Sequence, residues 1–186
     1  MLLWRRFSVR AFAGRILSRE KVEFLLRCAY GVIPGPIERR TVPSAGGLFP
    51  LTLVVAAHRV QNTPAGWYRW VPARAALEKL PITADSDTTT LFRTRHVALG
   101  DAAAVIFIFG EMAPGQRRYG ERGYRYLLLE AGHSAQNLLL AAAAIGAAAV
   151  PLGGFDDDRV NALVRAHLPE PVALYSVVLG EMPVPG

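Results

Sequence analysis

Cysteine is almost missing from this chain. Cys28 is the single cysteine in 186 residues, so no intramolecular disulfide can form and no CxxC zinc or redox motif exists. A reducing, cytoplasmic setting is the expectation. Lysine is nearly as rare: of 21 basic residues only Lys21 and Lys79 are lysine, and the rest are arginine. No basic run reaches the roughly 5–8 residues of a nucleic-acid patch, so no nucleic-acid partner is expected. The histidines (His58, His96, His133, His167) are scattered, without metal-ligand spacing, so no metal is expected. No apolar run reaches the ~20 residues of a membrane span, and no membrane partner is expected. The longest, Leu138 to Pro151, is interrupted only by Gly146 and reads as a buried helix. The amino terminus, Met1 to Arg6, lacks the apolar core of a signal peptide. No G-x-G-x-x-G follows a strand, no P-loop occurs, and no G-x-S-x-G elbow is present.

Apolar material and arginine are what the chain has. Hydrophobic residues make up 52% and charged residues 19%, the opposite of a disordered composition. The length favours one domain over residues 1–186, large enough to bury its own core. The net charge is +6, from 21 basic less 15 acidic residues. Arginines cluster at Arg5/Arg6/Arg10, Arg39/Arg40, Arg93/Arg95 and Arg117/Arg118/Arg122/Arg125. Two readings stand: a coding bias towards arginine, or local sites for anions.

Local signals predict the elements. Ser18 is a candidate N-cap for a helix whose apolar positions Val22, Leu25, Leu26 and Ala29 recur at helical spacing up to Gly31. Residues 32–47 read as a Pro, Gly and Arg-rich loop. Leu51–Ala57 is a short buried strand, with Gly66–Val71 as its antiparallel partner. A short helix is predicted over 85–95, opened by Asp85 or Asp87. Ala103–Phe109 is the best central strand, and 121–149 the longest helix. A strand-like or turn segment follows at 150–155. Asp156 caps a short helix to about Arg165, and Val172–Leu179 is the last strand. Strands and helices mix without regular βαβ alternation, which points to an α+β domain with helices on both sides of a sheet.

Five constellations could carry chemistry. If Arg6 to Phe12 is extended, Arg6, Ser8 and Arg10 share one face and Phe7 and Val9 the other. Two guanidiniums and a hydroxyl then form a phosphate clamp; the alternative is a frayed, solvated terminus. Pro43-Ser44-Ala45-Gly46 runs into a strand, and its small residues let backbone pass close to a flat ligand. The same segment also reads as an ordinary loop. Leu152-Gly153-Gly154 could aim backbone N–H groups at a ligand edge, or be a plain turn. Arg118 beside Tyr119 could make the phenol a usable acid or base, or merely face water at a helix start. Glu130, His133 and Asn137 form a polar stripe on an apolar helix, read mainly as a satisfied network or subunit contact.

In this order, from Arg6 to Gly180, the motifs resemble the nitroreductase superfamily of FMN enzymes, and most closely its SagB-type, McbC-like azoline-dehydrogenase branch. The resemblance rests on Arg6-x-Ser8-x-Arg10-x-Phe12, on Pro43-Ser44-Ala45-Gly46 with Leu48-Phe49-Pro50, on Tyr124 through Leu138, and on Pro151-Leu152-Gly153-Gly154-Phe155. It implies a three-layer α-β-α sandwich with a mostly antiparallel central sheet, a long buried central helix, and a homodimer with FMN at the subunit interface. It implies that Arg6, Ser8 and Arg10 hold the FMN phosphate and ribityl chain. Pro43, Ser44, Ala45 and Gly46 would line one flavin face, and Leu152, Gly153 and Gly154 would sit near N5 and O4. The branch has a Lys-Tyr pair where this chain has Arg118-Tyr119. Arginine keeps its proton, so Arg118 can orient a substrate but cannot be a general base. The chain stops at Gly186, where many nitroreductases continue into a tail with a basic phosphate ligand. Arg39 or Arg40 is the expected substitute.

The implied activity is FMN-dependent oxidation of an azoline-like heterocycle, on a small molecule or modified peptide, by hydride transfer to flavin N5. Tyr119 would remove the proton. Two alternatives accompany it: an NAD(P)H-dependent nitro or quinone reductase, and a non-catalytic flavin-binding scaffold subunit of a peptide-modifying complex.

Overall fold

The computed structural model describes residues 1–84 and 87–184. Helix α1 (Arg19–Tyr30) begins where expected, with the Ser18 hydroxyl accepting from the Lys21 amide at 3.2 Å. Gly31 closes it by donating to the Arg27 carbonyl. Two short strands, β1 (Val32–Ile33) and β2 (Arg39–Arg40), pair with each other inside the predicted loop.

The main sheet has six strands in the order β5-β4-β3-β6-β8-β7. These are β3 (Leu51–Ala57), β4 (Gly66–Val71), β5 (Ala76–Lys79), β6 (Ala104–Glu111), β7 (Ala147–Leu152) and β8 (Pro171–Glu181). Every ladder in it is antiparallel. Its centre is β6, uncharged from Ala104 to Gly110 and covered on both faces there, which is why alternation is absent. Ala104, Ile106 and Ile108 pack with α1 and α3 (Arg122–Ala144). Val105, Phe107 and Phe109 face the opposite layer, built from the amino-terminal arm, residues 91–99 and α4 (Asp157–Val164). The arrangement is the three-layer sandwich expected of the nitroreductase-like fold.

Two expectations need correction. The helix predicted over 121–149 ends at Ala144; Gly146 takes φ 68° and turns the chain, and residues 147–152 become β7. The run from Leu138 to Pro151 is therefore half helix and half strand. An Ala-rich stretch has no periodicity to separate the two, and the free edge of β8 supplied the ladder. Of the helix predicted over 85–95, the described residues form a single 3-10 turn, Thr89–Leu91, with the Asp87 carboxylate accepting from the Thr89 amide. Asp85 lies outside the described residues. One helix was not anticipated: α2 (Met112–Tyr119), which contains Pro114 and Gly115.

Candidate active site

The amino-terminal arm is not frayed. The Val9 amide donates to Ala149 of β7, the Ala13 amide donates to Glu181, and the Arg10 carbonyl accepts from Ala98. Phe12 packs flat on Gly180, where a Cβ would meet its ring at 2.8 Å. Phe7 and Val9 share one face, towards an apolar cavity of about 440 Å³ that also borders Leu139 and Ala142. Arg6 and Ser8 are half-buried and Arg10 is exposed. Neither arginine has an acidic partner among the described residues.

The same strand carries the second motif. Leu152 ends β7, and Gly153 and Gly154 follow, both exposed. Their conformation is held from behind by Phe155, which packs edge-on to Phe107 at 5.8 Å and to Phe92 at 6.2 Å. The Gly154 carbonyl accepts from the Arg93 amide, while the Gly153 and Gly154 N–H groups have no acceptor among the described residues. A Cβ on Gly154 would meet nothing within 4 Å.

The other two motifs meet at the far end of α3. Gly46 sits at φ 63°, a conformation that suits glycine, with Arg118 and Tyr119 lying on it. A Cβ there would stand 2.5 Å from Tyr119 Oη and 2.9 Å from Arg118 Cζ. Arg118 donates to the Gly46 carbonyl at 3.3 Å. Tyr119 is braced edge-on by Tyr126, with ring centroids 5.0 Å apart. Helix α2 carries this pair, and it packs on α3 through a glycine pair, Gly115 and Gly123. Sequence reasoning finds Tyr119 but not the helix that aims it.

Ser44 lies within the Pro43–Gly46 loop. Its hydroxyl turns inward, accepting from the Phe49 amide at 2.9 Å and facing the Glu130 carboxylate. Its side chain therefore braces the loop from beneath, and Pro43, Ala45 and Gly46 are left as the loop's outer surface. Glu130 is 3% exposed and also accepts from Tyr30 Oη at 2.7 Å. Burial raises the Glu130 carboxyl above its ordinary range, against the opposing pull of Ser44, Tyr30, Arg40 and His133. Burial, then the Glu130 charge, likewise pushes the Tyr30 phenol up. The polar stripe thus divides. Glu130 and Asn137 fasten α3 inward, Asn137 through the Thr41 carbonyl, and His133 stays exposed. Tyr30 was missed, because its partner lies 100 residues away in sequence.

Arg40 belongs to this end too. Its guanidinium lies 4.6 Å above the Tyr30 ring and pairs with Glu38. The two groups of site residues are well separated within one chain. From Glu130 to Ala142, beside the arm, is 12 residues of α3, or about 18 Å at ~1.5 Å per residue. Among the described residues no group of histidine, cysteine, aspartate or glutamate could hold a metal, and no helix is long and apolar enough to cross a membrane.

Comparison with known proteins settles the family. The sequence profile of the nitroreductase family matches residues 3–181. The chain belongs to the nitroreductase family. A nitroreductase-family protein of Methanocaldococcus jannaschii is 31% identical over 166 residues, covering 88% of this chain and 82% of the relative. The microcin B17-processing protein McbC of Escherichia coli is 33% identical over 157 residues, covering 77% of this chain but only 55% of McbC. A chain of the E. coli microcin synthetase McbBCD complex, solved with truncated pro-MccB17, superimposes with a TM-score of 0.82 at 25% identity, over 96% of this chain and 70% of that one. A family member from Desulfovibrio desulfuricans, solved in complex with FMN, shares the fold at a TM-score of 0.63 and 20% identity, over 97% of this chain and 83% of that one. As a nitroreductase, the protein is an oxidoreductase.

Proposed function

We propose that this nitroreductase is a homodimeric, FMN-dependent enzyme that oxidises an azoline-like heterocycle on a small molecule or modified peptide. The observation that carries the reading is the seating of Arg118 and Tyr119 on Gly46 of the Pro43–Gly46 loop. A proton-transfer group and a surface for a flat ligand are thereby adjacent.

The residues present fit FMN. Arg6 and Arg10 are guanidiniums without acid partners among the described residues, on a fastened arm with Ser8 between them. Charge-assisted, planar donors suit a phosphate. The N–H groups of Gly153 and Gly154, unpaired among the described residues, suit the acceptor edge of a flavin ring. Arg6, Ser8 and Arg10 would therefore hold the phosphate and ribityl chain. Pro43, Ala45 and Gly46 would line a ring face, and Leu152 to Gly154 would meet the ring edge. The ~18 Å along α3 between the two groups is why a second copy of the chain completes the site. The FMN-bound D. desulfuricans relative supports the cofactor.

When bound, FMN supplies a hydride acceptor. The chain's own residues do the rest. The substrate loses a hydride and a proton, two hydrogens in all, and becomes the aromatic azole. Tyr119 Oη would take the proton as a phenolate and leave the step as the neutral phenol. Arg118 is anchored on the Gly46 carbonyl and keeps its charge, so it orients the substrate. The likeness to McbC, and to the complex solved with pro-MccB17, supports a peptide-borne substrate.

A second reading, NAD(P)H-dependent reduction of nitro compounds or quinones, is favoured by the more complete match to the M. jannaschii relative. The purified protein decides. It should be yellow, release FMN on denaturation, and convert a model azoline with loss of two hydrogens. Consumption of NAD(P)H with a nitroaromatic, and no azoline turnover, selects the second reading. A colourless protein that binds no added FMN overturns both.

A further inference from the structure

The loop that carries Gly46 is pinned at both ends by one buried carboxylate. At its start, the Ser44 hydroxyl accepts the Phe49 amide at 2.9 Å and faces the Glu130 carboxylate. At its end, the Leu51 amide donates to Tyr30 Oη at 3.1 Å, and Tyr30 Oη donates to Glu130 Oε1 at 2.7 Å. Tyr30 and Glu130 are 0% and 3% exposed, so neither bond competes with bulk water. A polar chain thus runs from the Phe49 amide through Ser44, Glu130 and Tyr30 to the Leu51 amide. Glu130 also borders the narrow space shared by Ala45, Leu48 and Tyr119.

A buried carboxylate is costly unless its oxygens are bonded. An apolar residue of similar size would fill this position without that cost. Here both hydroxyls converge on it, one from the last residue of α1 and one from the loop. Each of those hydroxyls in turn receives a backbone N–H of the same eight-residue segment.

We propose that Glu130 is a positioning residue, the common acceptor that clamps Ser44 and, through Tyr30, Leu51, and so holds Gly46 against Tyr119. At 3% exposure it acts through those two hydroxyls. Its importance to turnover rests on the function proposed above, but the clamp itself does not.

Amide-resolved hydrogen exchange on the full-length, flavin-free protein tests it. Glu130→Leu leaves both hydroxyls without their acceptor. Exchange at Phe49 and Leu51 should rise together by about tenfold or more, while the amides of β6 keep their protection. Glu130→Gln keeps one acceptor oxygen and should fall between Glu130→Leu and wild type. Two further variants keep the test valid if Glu130→Leu does not fold. Ser44→Ala should release Phe49 and spare Leu51; Tyr30→Phe should do the reverse. The proposal is overturned if Glu130→Leu leaves both amides as protected as wild type, or if β6 loses protection equally. It is also overturned if either hydroxyl variant releases both ends or neither. No flavin enters the measurement, so failure of the clamp and failure of the FMN reading are separately visible.

Discussion

Replacing Gly123 by alanine opposes two effects whose sizes the structure allows to be compared. Gly123 lies in the first turn of α3, where alanine is ordinarily better than glycine by about 0.5–1 kcal/mol. On helix propensity alone the variant would be more stable. The added Cβ, however, would stand 2.5 Å from the Gly115 carbonyl carbon, 2.7 Å from its oxygen and 2.8 Å from the Gln116 nitrogen. Comfortable contact lies near 3.5–4.0 Å, so relief takes a displacement of roughly 1 Å. These are backbone atoms, and no rotamer change clears them. Overpacking of this kind costs about 1–3 kcal/mol, which outweighs the propensity gain. The net is a loss of about 1 kcal/mol, or ~2–4 °C in Tm for a chain of this size. The larger effect falls on the site. Helix α2 must move away from α3, and it carries Arg118 and Tyr119 with it. A misplacement of ~1 Å at a reacting group can cost about 100-fold. Thermal unfolding and steady-state oxidoreductase turnover give both numbers. A Gly123→Ala protein with raised Tm and undiminished kcat would refute the reasoning, because it would mean that α2 is not seated through this contact.

Arg10→Ala should weaken FMN affinity by about 10- to 150-fold, from the ~1.5–3 kcal/mol of one charge-assisted contact, as read by fluorescence titration; unchanged affinity would remove Arg10 from the phosphate site. Tyr119→Phe should leave FMN affinity intact and depress azoline turnover, so a phenylalanine variant with wild-type kcat excludes Tyr119 as the proton acceptor. The raised Tyr30 phenol gives a pH signature. Its neutral form is favoured in the folded protein, so its contribution to stability is complete below about pH 10 and is lost as pH rises above that. Denaturant midpoints measured from pH 8 to 11 should fall more steeply for wild type than for Tyr30→Phe, and parallel curves would count against the buried Tyr30–Glu130 bond.

Features set within a few residues of one another are legible in the sequence itself. Ser18 and Asp156 cap their helices because a cap is a contact with the third residue on. The central strand is recognisable because burial on both faces leaves no room for charge in Ala104–Phe109. Arg6, Ser8 and Arg10 share a face because extended backbone alternates its side chains. The Gly153–Gly154 turn and the Arg118–Tyr119 pair are visible as local motifs. The resemblance joining these motifs leads to the family and the sandwich.

Other features depend on partners distant along the chain. Ala147 to Val150 suits helix or strand equally, and became β7 because β8 offered an edge and Gly146 turned the chain towards it. Helix α2, eight residues with a glycine in the middle and no buried side chain, is a poor helix by propensity; its seat against Gly123 exists only once α3 has formed. Ser44 looks outward in a small-residue loop, yet faces inward because a buried carboxylate 86 positions later needs a donor. Tyr30 reads as one more residue on an apolar helix, and Glu130 as part of a polar stripe with no partner in view, until packing of α1 on α3 brings them to 2.7 Å. Local chemistry thus selected the residues, and long-range packing decided which of them face one another.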